Sequence, residues 1–118
     1  MQRKVLIVDD EQIMRDLLHL HLTRHGYDVL LAEDAVAAGY LVVREKPDVI
    51  ICDVEMPYMN GYEFVAALKA DPTTQHVPVV FLTTDQNVAD HARALGAAAY
   101  LNKPVMATRL LQVIDLLV

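Results

Sequence analysis

The chain has 118 residues, 54% of them hydrophobic and 22% charged, with a formal net charge of −6. That length suits one domain with its own core, and the composition excludes a disordered chain. With no basic block the chain is not expected to bind nucleic acid directly, and no apolar stretch approaches the ~18 residues of a membrane span.

Short apolar runs and stretches of helical period alternate from end to end. Residues 4–8 read as a strand, followed by a helix over about 12–25 with Ile13, Leu17 and Leu20 at i, i+4, i+7 spacing as its expected buried face. Gly26 stands where a C′ residue belongs. A strand over 28–32 leads to a helix over about 35–45 that places Ala38, Leu41 and Val42 inward and is stopped by Pro47. A strand over 48–53 comes next. The helix after Asn60-Gly61 carries Phe64, Val65 and Leu68 on one face. Residues 78–83 form the fourth strand, and a shorter helix over about 87–95 shows Val88, Ala92 and Leu95 before Gly96. The last pair is a strand over about 98–102 and a helix over about 105–117, with Leu110, Val113 and Leu117 widened by Leu111 and Ile114.

The runs are rich in Val, Ile and Leu and continuously apolar rather than alternating, as strands covered on both faces should be. Five βα units imply a doubly wound α/β domain: a parallel sheet with right-handed crossovers and helices on both faces. The whole chain, 1–118, reads as one domain, with any output domain expected outside it.

Polar residues end four of these runs. Val5 to Val8 runs into Asp9-Asp10, Val49 to Cys52 into Asp53, Val79 to Leu82 into Thr83, and Tyr100-Leu101-Asn102 into Lys103-Pro104. In parallel strands these groups gather at one sheet edge, and open α/β sheets bind ligands outside the carboxyl ends of their strands. Asp9 and Asp10 serve one site only if the chain leaves the strand there, because adjacent strand residues face opposite ways. An Asp-Asp pair alone is more often a solvated turn or helix cap. Asp53, after a second buried run, changes the reading: carboxylates brought together repel unless a cation offsets them. Magnesium, or manganese, is the natural candidate, as a hard ion that accepts carboxylates and phosphate oxygens. Lys103 can then pair with Asp53, and Thr83 can donate to a phosphoryl oxygen. Positioning and charge neutralisation are what phosphoryl transfer chiefly requires.

These residues resemble the receiver domains of bacterial response regulators. Asp53-Val-Glu-Met56-Pro57-Tyr-Met59-Asn-Gly61 is similar to that family's D-x-x-M-P-x-M-x-G signature, and Leu101-Asn102-Lys103-Pro104 to its fifth-strand signature, whose Lys-Pro peptide is usually cis. The resemblance spans the chain and implies a flavodoxin-like (βα)5 fold with strand order 2-1-3-4-5. It implies Asp53 as phosphoacceptor. Asp9, Asp10, Asp53 and the backbone carbonyl of Glu55 would be metal ligands, with Thr83 and Lys103 on the phosphoryl group. Tyr100 falls at the switch aromatic, which turns inward when Thr83 moves and reshapes the face of the fourth helix, fifth strand and fifth helix. The implied donor is a histidine kinase or histidine phosphotransfer protein, and the implied receiver of the signal a downstream protein or output domain.

Glu55 and Asp85, two residues beyond Asp53 and Thr83, and Thr84 at the site mouth are expected to tune the lifetime of the phosphoryl group. Val105 stands where Phe often follows Lys-Pro, and Ala97-Ala98-Ala99 lacks acidic residues that many DNA-binding regulators use to dimerise. Monomer and phosphorylation-dependent homodimer are both open.

Weaker signals have ordinary explanations. His19, His21 and His25 do not share one helical face, so they are not read as a metal site. Cys52, the single cysteine, excludes an internal disulfide and is expected to face away from Asp53 as a small core residue. A reducing, cytoplasmic setting is the simplest expectation. Arg93 and Arg109 read as solvated, and the loop carrying Met56, Tyr58 and Met59 is already accounted for by the signature. Two rival functions remain: a receiver-like binding module that signals without phosphorylation, and a phosphohydrolase with an aspartyl-phosphate intermediate. The intact set of five polar residues argues against the first, and the lack of a cap over a substrate pocket against the second.

Overall fold

In the computed structural model, which describes residues 2–118, the five apolar runs form strands β1 (Lys4–Val8), β2 (Asp28–Ala32), β3 (Val49–Asp53), β4 (Val79–Thr83) and β5 (Ala99–Asn102). They pair in parallel in the order β2-β1-β3-β4-β5. That is the order implied by the receiver resemblance. The central strands β1, β3 and β4 are buried almost throughout, which explains why they lack alternation.

Helices α1 (Gln12–Arg24), α2 (Ala35–Glu45), α3 (Gly61–Ala70), α4 (Val88–Leu95) and α5 (Ala107–Leu117) cover both faces. Strand alternation divides the core in two. Val5, Ile7, Val49, Ile51, Val80 and Leu82 pack under α1 and α5 with Leu18, Leu22, Leu110 and Ile114. On the other face Leu6, Val8, Ile50, Cys52, Val79 and Phe81 meet α2, α3 and α4 through Ala38, Val42, Phe64, Val65 and Val88. Helix ends follow local chemistry. The Asp34 carboxylate accepts from the Ala37 N–H at 2.8 Å, and Asn60 and Glu63 form a reciprocal capping box. Gly26 and Gly96, at φ +93° and +73°, take the left-handed turns that follow α1 and α4.

Two expectations are corrected. β3, β4 and β5 each begin one residue later than expected, and α5 begins at Ala107 because Met106 is still extended at φ −81°, ψ 136°. More consequentially, the stripe expected to be buried on α1 faces outward: Ile13 is 84% exposed, Leu17 48% and Leu20 47%. The helix instead buries Leu18 and Leu22, with Met14 packed beside them. α1 carries two apolar stripes centred roughly a third of a turn apart, and periodicity alone cannot choose between them.

Candidate functional site

The strands place the polar groups by ending where they do. β1 stops at Val8, and the chain then turns: the Asp9 N–H still donates to Ala32 of β2 at 3.1 Å, while its carboxylate accepts from the Glu11 N–H at 2.9 Å. Arg15, one turn into α1, donates to the Asp9 carbonyl at 2.7 Å. This turn brings Asp10 to the same side as Asp9. Asp9, Asp10 and Asp53 each offer a carboxylate oxygen, all within 4.8 Å of one another. They are the only such group of possible metal ligands among the described residues.

Asp9 and Asp53 are buried and Asp10 is exposed, giving the cluster a closed back and an open front. Lys103 joins them, its Nζ 3.2 Å from Asp53 Oδ2 and 3.7 Å from Asp9 Oδ2. The Lys103–Pro104 peptide is cis. Burial, reinforced by the Asp9 charge and opposed by Lys103, pushes the Asp53 carboxyl up to about 7. Burial likewise raises Asp9 against the pull of the Glu11 N–H and Lys103. Burial alone would lower the Lys103 ammonium, but Asp53 and Asp9 hold it above its usual range. Three carboxylates against one ammonium leave an excess of two negative charges, which a single divalent cation would balance. All-oxygen, carboxylate-rich donors fit a hard ion.

Thr83 ends β4 fully buried, and its hydroxyl is engaged twice. It donates to the Glu55 carboxylate, 2.9 Å from Oε1 and 3.1 Å from Oε2, and accepts from the Asp85 N–H at 3.0 Å. Glu55 thus reaches from the loop after β3 to the end of β4, and its own N–H points to Asp53 Oδ1 at 3.4 Å. Asp85 accepts from the Tyr62 hydroxyl at 2.6 Å, a bond that lowers its pKa, and from the Asn87 N–H at 2.9 Å. Thr84 is exposed at the mouth. Tyr100 lies on β5 opposite Phe81 in register and is 41% exposed, an outward position. Cys52 lies in the core on the α3 side, and burial pushes its thiol up, so it is no nucleophile for this site.

Gly61 explains the spacing of the signature loop. Its N–H donates to Val54 at 2.8 Å, and a Cβ there would strike the Asp53 carbonyl oxygen and come within 2.9 Å of the Val54 Cα. Only glycine lets α3 start this close to the residue after β3. Tyr62, next to it, was not singled out from the sequence. Its partner Asp85 is 23 residues away, and nothing local announces the contact.

Among known proteins, residues 5–115 match the family described as the response regulator receiver domain. The chain is 39% identical over 107 residues to Response regulator PleD of Caulobacter vibrioides, covering 89% of this chain and 24% of that protein. It is 37% identical to Protein PilH of Pseudomonas aeruginosa over 95% of this chain and 94% of that one. It therefore spans about a quarter of the first relative and nearly all of the second. Its fold superposes on chemotaxis protein CheY4 of Vibrio cholerae with a TM-score of 0.93 at 33% identity, over the full length of both chains. The chain belongs to the receiver domains of response regulators, the phosphate-accepting modules of two-component signalling.

Proposed function

We propose that Asp53 is the phosphoacceptor, receiving a phosphoryl group from a histidine kinase or histidine phosphotransfer protein. One observation carries this: Asp53 is a buried carboxylate at a strand end, inside a cluster of acids and 3.2 Å from an ammonium. An Asp53 oxygen attacks phosphorus, the bond from phosphorus to the donor nitrogen breaks, and that electron pair leaves with the imidazole. Asp9, Asp10, Asp53 and the Glu55 carbonyl would hold Mg2+, or Mn2+, which when bound supplies charge neutralisation for the incoming anion. Lys103 moves its pairing from the carboxylate to the phosphoryl oxygens. The Thr83 hydroxyl donates to another of those oxygens. In this sense the domain assists its own phosphorylation and dephosphorylation.

The product is a conformation. Departure of Thr83 from its resting partners lets Tyr100 turn inward and shifts an existing equilibrium of the α4-β5-α5 face. That face would address a downstream protein or output domain, or a second copy of the chain in a phosphorylation-dependent homodimer. The exposed stripe of Ile13, Leu17 and Leu20 begins one turn from Asp10 and offers apolar surface to an incoming phosphodonor. Glu55, Thr84 and Asp85, all at the mouth, set how long the phosphoryl group survives.

The test is the intact mass of the protein after incubation with magnesium and a small phosphodonor, beside Asp53→Asn. We expect one added phosphoryl group in the wild type and none in the variant. An adduct that persists in Asp53→Asn moves the acceptor elsewhere, and no adduct under rapid quenching returns the chain to a phosphorylation-independent binding module.

A further inference from the structure

We propose that Tyr62 is a positioning residue for phosphoryl transfer: through Asp85 it holds the loop after β4 so that the Thr83 hydroxyl stays bonded to Glu55. The inference rests on the reading of Asp53 as acceptor and of Thr83 as donor to the phosphoryl group.

A threonine hydroxyl has a single hydrogen to donate, and here it goes to the Glu55 carboxylate at 2.9 Å. Thr83 cannot donate to a phosphoryl oxygen without giving up that bond. Its oxygen also accepts from the Asp85 N–H at 3.0 Å, so moving the hydroxyl means moving or abandoning the Asp85 backbone. That backbone is clamped through the Asp85 side chain, whose two oxygens are taken by the Tyr62 hydroxyl at 2.6 Å and the Asn87 N–H at 2.9 Å. A phenol donating to a carboxylate is a charge-assisted bond, stronger than the neutral bonds around it.

The ring of Tyr62 fixes the direction of the clamp. It stands in the first turn of α3, edge-on to Phe81 of β4 with centroids 5.1 Å apart, and stacks on His91 of α4 at 4.2 Å and 19°. One side chain therefore touches β4, the loop after it and α4. These are the parts that must shift together when Thr83 leaves its resting partners. A contact made in the resting arrangement and lost in the active one biases the equilibrium toward rest.

Tyr62→Phe keeps the ring and its stacking and deletes only the donor. We expect phosphorylation of Asp53 by a small phosphodonor to speed up about three- to tenfold, the effect of losing one ordinary hydrogen bond, because water competes for the half-buried Asp85. We expect no acceleration when the same change is made in Thr83→Ala, since the clamp acts through that hydroxyl. A purely structural tyrosine would give the same change in both backgrounds. As a second readout, the Thr83 methyl resonance of unphosphorylated Tyr62→Phe should move toward its position in the phosphorylated wild type. An unchanged rate with an unmoved resonance overturns the proposal, as does equal acceleration in the Thr83→Ala background. Absence of any adduct in the wild type overturns the acceptor reading itself, and this proposal with it.

Discussion

Gly61 sits where the loop after β3 closes on itself, and its missing side chain is a condition of the site. A methyl group there would collide with the Asp53 carbonyl oxygen, which is backbone and cannot swing aside. Gly61→Ala should therefore cost ~1–3 kcal/mol of stability, in the range of overpacking a tight site, and should displace the backbone of Asp53 and Val54 at the end of β3. Urea unfolding checks it: a midpoint equal to the wild type would mean that α3 can withdraw without loss. Asp9, Asp53, Thr83 and Lys103 were legible in the sequence because each ends an apolar run, and strand ends are where an open sheet presents its chemistry. Gly61 was legible only as part of a resemblance, and the collision supplies its physical reason. Tyr62 and the bond from Thr83 to Glu55 were not legible as contacts. They join residues 23 and 28 positions apart, through loops whose course no local pattern dictates.

At the scale of elements, α1 shows where periodicity stops being informative. Ile13, Leu17 and Leu20 fit the helical period as well as Met14, Leu18 and Leu22 do, and the second set is the one that meets the sheet. On α3 and α5 the inward faces follow the period, with Phe64, Val65 and Leu68 on the first and Leu110, Val113 and Ile114 on the second, whereas α2 repeats the ambiguity of α1 by leaving Val36, Tyr40 and Val43 exposed. The two stripes of α1 should separate cleanly by stability. Leu18→Ala or Leu22→Ala removes a fully enclosed side chain and should cost about 2–5 kcal/mol, whereas Leu17→Ala, half-exposed, should stay within about 1 kcal/mol. Paired thermal or denaturant unfolding of Leu17→Ala and Leu18→Ala decides it, and equal losses would mean that both stripes are buried in solution. With its energetic role that small, an outward apolar stripe beside the acidic cluster is available for contact with another molecule.

For the molecule as a whole, parallel strands all end on one side, so the carboxylates they carry share one edge. Hydrophobic runs and turn residues foretold parallel strands and two-sided cover, but not which strand neighbours which; the order β2-β1-β3-β4-β5 came from family resemblance because long-range pairing leaves no local trace. Crowding acids at one edge has a consequence for stability. Asp53 is raised to about 7 from an ordinary 3.8, chiefly by burial, and Asp9 is raised for the same reason. Between those pH values the folded protein holds a proton that the unfolded chain has released, so without metal these groups make stability fall as pH rises through that window. Once ionised, the cluster should take a divalent cation that the unfolded chain cannot hold, and binding only the folded state raises stability. Magnesium should therefore lift the unfolding midpoint strongly at about pH 8 and little at about pH 5, where protons compete for Asp53 and Asp9. Asp53→Asn should flatten the metal-free decline, because its amide carries no charge at either pH. Thermal unfolding of both proteins at the two pH values, with magnesium and with chelator, measures all of this. A magnesium effect equally large at both pH values would sink the coupling between proton and metal at this edge.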